Sequence, residues 1–173
     1  MRENPEINLC QTEEIWWRNG RQVNPKKHHE KPAGNIFRRS LDLCLVSPSA
    51  VMMKSALLEK VGYFDEELPA AEDYDLWLRV SLEYPVPLLP SPLVIKRGGH
   101  ADQLSARSGI DRYRIKALEK LIKSGSLSTE QHEWTWQALR RKCEIYGQGC
   151  LKRGRVEEGE RYLALPNKYK EKV

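Results

Sequence analysis

The tightest constraint on this chain is one segment, Ala71 to Tyr84. Leu76, Trp77, Leu78, Val80, Leu82 and Tyr84 fill nearly every position outside one polar line, Asp75, Arg79 and Glu83, at every fourth residue. Such a pattern predicts a helix that is apolar over most of its circumference and therefore packed inside a domain. The polar line has the charge order that supports a helix. The segment opens with Glu72, Asp73 and Asp75, three carboxylates within four residues. Acids in a first helical turn cap free N–H groups and favour the macrodipole. One acid would serve for that. Three at a buried helix end repel one another, which suits a place where a proton or a cation arrives. The residues alone leave capping and chemistry both open.

Upstream of this helix the chain alternates short strands and turns. Ile7 to Cys10 reads as a short strand. Glu14 to Arg18 and Arg21 to Val23 flank Asn19-Gly20, the pair that a two-residue hairpin turn requires. Asn24 to Gly34, with two prolines and the basic cluster Lys26, Lys27, His28, His29 and Lys31, reads as a mobile polar loop. Ile36 to Leu45 carries apolar residues close to helical spacing. Ala50 to Met53 reads as a buried strand. Ser55 is placed to cap a short helix ending at Gly62.

Downstream, Pro85 to Pro92 is dense enough in proline to permit only edge or extended structure. Leu93 to Lys96 reads as a last short strand, followed by a loop from Arg97 to Ser105 with two glycines. From Ile110 the pattern is helical only. Ile115, Leu118, Leu121 and Ile122 share one face. Ser128 with Gln131 is a capping-box signature. Trp136, Leu139, Cys143, Tyr146 and Cys150 form a long stripe, and Gly154 stops it. The expected organisation is therefore a mixed α/β part over residues 1–107 and a helical segment over 108–173.

Composition narrows the function classes. The net charge of +5 is spread out, and no aromatic-plus-basic ladder accompanies the densest cluster, which argues against nucleic-acid binding. Weak attraction to anionic lipid or to a phosphorylated substrate fits it better. Cys10, Cys44, Cys143 and Cys150 are scattered without a Cys-x-x-Cys pair, so neither zinc nor a disulfide scaffold is expected. No signal peptide or membrane-spanning run is seen, so the expected location is the cytoplasm.

Val61-Gly62-Tyr63-Phe64-Asp65-Glu66-Glu67-Leu68 followed by Glu72-Asp73-Tyr74-Asp75-Leu76-Trp77-Leu78-Arg79 resembles the acceptor-side half of inverting family 2 glycosyltransferases. His100-Ala101-Asp102-Gln103-Leu104-Ser105 resembles the same family's closing loop, and the likeness runs from about Glu3 to Ser105. The resemblance implies a GT-A fold, here a partial one, and sugar transfer from a nucleotide-sugar donor to a saccharide or lipid-linked acceptor of cell-surface polysaccharide synthesis. Asp73 matches the family's catalytic base and Glu72 the neighbouring acid that holds the acceptor. Asp75 is expected to pair with Arg79. Arg97, Trp77 and His100 are the substrate-binding candidates, and His100 is also the metal candidate, near a divalent manganese or magnesium ion. The implied location extends to the inner face of the membrane.

The family's first half carries the nucleotide-binding units and an Asp-x-Asp metal motif at a strand end. Neither is found here, since Asp73-Tyr74-Asp75 opens a helix instead. The expectation is thus a chain without its donor-binding half, inactive alone, with an uncovered sheet edge that favours self-association. Tyr146 to Gly159 faintly resembles one tetratricopeptide-like helical hairpin. The rival expectation is a non-catalytic protein-interaction module built on those helices.

Overall fold

The computed structural model describes residues 1–24, 29–99 and 109–170. It divides into two compact units, Met1–Glu66 with Glu72–Arg107, and Glu67–Ala71 with Ser108–Val173. The first is mixed α/β. The second is helical, and Glu67–Ala71 groups with it, so the chain leaves the first unit just before the acidic helix and re-enters at Glu72.

The first unit contains β1 (Leu9–Arg18), β2 (Arg21–Val23), α1 (Phe37–Ser40), β3 (Val51–Met53), α2 (Ser55–Val61), α3 (Glu72–Glu83) and β4 (Leu88–Gly98). β1 is the centre of a small mixed sheet. One of its edges pairs in parallel with β4, from Gln11 opposite Leu88 to Arg18 opposite Gly98. The other edge takes β3 antiparallel at Leu9 to Gln11 and β2 antiparallel at Trp16 to Arg18. The Asn19-Gly20 turn has φ of 50° and 75°, as a two-residue hairpin demands.

Several expectations change: Ser55 is the first residue of α2 and does not cap it, and β3 is only partly buried, with Met52 66 % exposed. The two short strands expected at Ile7–Cys10 and Glu14–Arg18 are one continuous strand. Their polar interval, Thr12 and Glu13, coincides with register shifts against the proline-containing part of β4, which absorb the break. β4 is likewise continuous through Pro90 and Pro92, because it pairs only with β1 among the described strands and its other edge needs no donors. The helical spacing of Ile36 to Leu45 yields only the four-residue α1. Ile36, Phe37 and Leu41 are all buried, so the apolar pattern recorded burial rather than helix length.

The second half of the expected loop is pinned. Gly34 and Val86 exchange two backbone hydrogen bonds, of 3.0 and 2.9 Å. Gln11 Nε2 donates to the Pro32 carbonyl at 2.7 Å, and Lys31 Nζ donates to the Thr12 carbonyl at 2.7 Å. Beside these, Leu76, Trp77 and Val80 of α3 pack with Leu9, Ile36, Val46, Leu57 and Val86 in one apolar core.

The second unit has α4 (Asp111–Lys123), α5 (Thr129–Lys152) and α6 (Val156–Ala164), then a 3-10 turn over Leu165–Lys168. The capping box forms, with Gln131 N donating to Ser128 Oγ at 3.2 Å and Ser128 N donating to Gln131 Oε1 at 2.9 Å. α5 and α6 approach through Gly147 and Gly159. A Cβ on either would lie 3.0 Å from the other's carbonyl oxygen, tighter than ordinary van der Waals contact. Among the described residues no helix is long and apolar enough to cross a membrane.

Candidate active site at the start of α3

Glu72 and Asp73 sit half-buried in the first turn of α3, and Asp75, two residues on, is 3 % exposed. The residue before them, Ala71, has φ of 61°. A non-glycine residue in the left-handed region is strained, and such strain concentrates where a site over-determines the backbone. Nothing in the sequence marks Ala71 for this role.

The three acids have different partners. Asp75 Oδ2 accepts from Arg79 Nε at 3.1 Å and from Arg79 Nη2 at 2.9 Å. The same guanidinium donates from Nη1 to the carbonyls of Val61 and, at 3.0 Å, Gly62, and from Nη2 to that of Tyr63 at 2.8 Å. Arg79 thus neutralises a buried carboxylate and satisfies the carbonyls at the end of α2 in one fork. Gly62 completes the fit. Its φ is 87°, and a Cβ there would lie 3.1 Å from Arg79 Nη1. The expected Asp75–Arg79 pair is present, and the glycine that opens the upstream motif is explained by the arginine that closes the downstream one.

Asp73 Oδ1 accepts the Tyr74 N–H at 2.7 Å. That bond holds the carboxylate rotamer, with Oδ2 the oxygen not engaged in it. The phenol of Tyr74 is buried and donates to the Leu41 carbonyl at 2.6 Å, which anchors the first turn of α3 from the other side. The helix start is therefore fixed by Tyr74 and Asp75, while Glu72 and Asp73 retain partial access to solvent.

The remaining candidates fall in different places. Trp77 is 2 % exposed and belongs to the core, so its ring is a packing element and is not offered to a saccharide from solvent. Its indole N–H has no hydrogen-bond partner among the described residues. Arg97 is exposed near the end of β4, in register with Trp17. No hydrogen bond or ion pair joins it to Glu72 or Asp73 among the described residues. His100 lies outside the described residues. No group of three or more His, Cys, Asp or Glu side chains comes together among the described residues to hold a metal ion. The Asp-x-Asp spelled by Asp73 and Asp75 does not suit a divalent ion either, because the Asp75 carboxylate is occupied by Arg79.

One polar feature escaped the sequence. Glu14 and Lys31 form an ion pair at 3.5 Å with side chains only 2 % and 7 % exposed. Burial lowers the Lys31 pKa, against the opposing pull of Glu14. The pair is separated by a hairpin and a loop, so neither periodicity nor local spacing could signal it.

Compared with family models, curated proteins and solved structures, the chain matches none of them.

Proposed function

We propose that this chain is the acceptor-side half of an inverting family 2 glycosyltransferase with a GT-A fold. The observation that carries the reading is the division of labour among the acids of α3. Asp75 is consumed by Arg79, whereas Asp73 is held in one rotamer with partial access to solvent, directly after a strained Ala71. In the proposed reaction, Asp73 takes the proton of an acceptor hydroxyl. The hydroxyl oxygen attacks the anomeric carbon of the donor sugar, and the nucleoside diphosphate leaves from the opposite face. Glu72 orients the acceptor. A base of this kind must lie within hydrogen-bond reach of the hydroxyl, so position matters before acidity. No metal step is assigned to the described residues.

The test is transfer by a form that carries a donor-binding half, supplied with nucleotide-sugars and manganese. Asp73→Asn is expected to lose transfer by roughly two to four orders of magnitude while keeping donor affinity. Near-normal turnover in that variant would move the base elsewhere. Absence of any nucleotide binding would overturn the reading as a whole. A second reading, a protein-interaction module, draws support from the helical unit, which has its own core around Ile115, Leu118, Leu139 and Cys143.

A further inference from the structure

The chain's surplus of positive charge lies in its helical unit, and part of it gathers around one aromatic pair. Tyr146 of α5 and Tyr162 of α6 meet edge to face, with ring centres 4.6 Å apart. Three exposed arginines surround them. The Arg155 guanidinium lies 5.9 Å from the Tyr146 ring and that of Arg161 lies 5.1 Å from the Tyr162 ring. From α4, Arg112 lies 4.6 Å from the Tyr113 ring, bonds its hydroxyl, and lies within electrostatic range of both Tyr146 and Tyr162. One carboxylate enters the group: Glu158 accepts from the Tyr146 hydroxyl at 2.8 Å and pairs with Arg155 at 3.1 Å.

Arg112 and Arg161 are seated on tyrosines rather than on carboxylates. A ring face orients the planar guanidinium without neutralising it, and each of these two arginines also bonds its tyrosine's hydroxyl. Neither Arg112 nor Arg161 has a carboxylate partner among the described residues, and their two charges match a phosphate dianion in sign and size. We infer that this tyrosine-seated arginine cluster, formed where α5 packs on both α4 and α6, binds a phosphate monoester or diphosphate group. The group is borne on a small molecule or on a lipid. The site is independent of the acids of α3 and of the transferase reading.

The full chain should be titrated with pyrophosphate, and separately with phosphatidylcholine vesicles with and without phosphatidate. Two variants are compared: Arg112→Gln with Arg161→Gln, and Arg140→Gln with Arg141→Gln, which removes the same charge elsewhere on the unit. Far-UV circular dichroism checks that each stays helical. Saturable binding to pyrophosphate assigns a soluble phosphate. Binding only to phosphatidate vesicles assigns a lipid-borne one. In either case the first variant is expected to lose at least about tenfold in affinity and the second to lose little. Absence of binding in both arms would overturn the inference. So would an equal loss in the two variants, because diffuse surface charge would then explain the attraction. Should pyrophosphate bind while Asp73→Asn retains full transfer in the extended form, the phosphate site stands and the base assignment falls.

Discussion

Arg79 joins more of the candidate site than any other side chain. It is 24 % exposed, yet its partner Asp75 is 3 % exposed, so truncating the arginine strands a buried charge. Removing one member of a buried pair costs about 3–5 kcal/mol, and the partial exposure of Arg79 points to the low end of that range. Arg79→Ala is therefore expected to lower unfolding free energy in urea by about 3 kcal/mol. Arg79→Lys should recover little, because an ammonium cannot fork to Asp75 and three carbonyls together. Gly62→Ala should cost about 1–3 kcal/mol from its backbone alone, because φ of 87° with ψ of 158° is a conformation essentially reserved for glycine. An Arg79→Ala variant as stable as the wild type would show that the fork is incidental. The Asp75–Arg79 half of this device was legible in the sequence, since the two residues are one helical turn apart. The Gly62 half was not, because the contact joins the end of one helix to the middle of another. Ala71 is the same kind of case: its φ is imposed by the surrounding chain, and alanine carries no local signal for it.

Among the elements, α5 shows how a buried stripe becomes a pH response. Burial pushes the Cys143 thiol up to about 12 from its ordinary 9.0, with a smaller contribution from Glu119. Burial and the hydrogen bond to Glu158 push the Tyr146 phenol up to about 12 from 10.0. In the unfolded chain both groups lose their protons earlier. Their stabilising contribution is thus complete below about pH 9 and is lost as pH rises through the folded values. The melting temperature followed by circular dichroism should fall between about pH 9 and 12, and Cys143→Ala should flatten the lower part of that fall. An unchanged slope in the variant would remove Cys143 from the explanation. The elements that local chemistry specifies were readable in advance: the Asn19-Gly20 turn, the Ser128–Gln131 box, and the stops at Gly62 and Gly154. The full lengths of β1 and β4 were not. Thr12, Glu13, Pro90 and Pro92 look like breaks, and only the pairing of the two strands shows how they are accommodated.

For the molecule as a whole, the outer edge of β4 is the exposed seam. Leu89, Leu93 and Ile95 are 44 %, 66 % and 52 % exposed, and β4 has one partner strand among those described. Edges of this kind pair with other chains unless charge or proline blunts them. Here Pro90, Pro92, Lys96 and Arg97 do so in part. Sedimentation velocity is expected to show concentration-dependent association that Leu93→Lys with Ile95→Lys reduces. Monodisperse wild-type behaviour at high concentration would show that the prolines and cations suffice. The mixed α/β class and its helical continuation were legible from the change of periodicity near residue 110.

The parallel pairing of β1 with β4 also sets an order of events in time. The two strands meet across nearly the whole first unit of sequence, since Gln11 faces Leu88 and Arg18 faces Gly98. Closing so large a loop is slow, whereas α4, α5 and α6 form from neighbours along the chain. During synthesis, β1 leaves the ribosome with Trp16 and Trp17 well before β4 and gains its main partner only after β4 has followed. Until then, among the described strands, it has the short β2 and β3 to pair with. That interval is when a nascent copy is most open to capture by a chaperone or by another nascent chain.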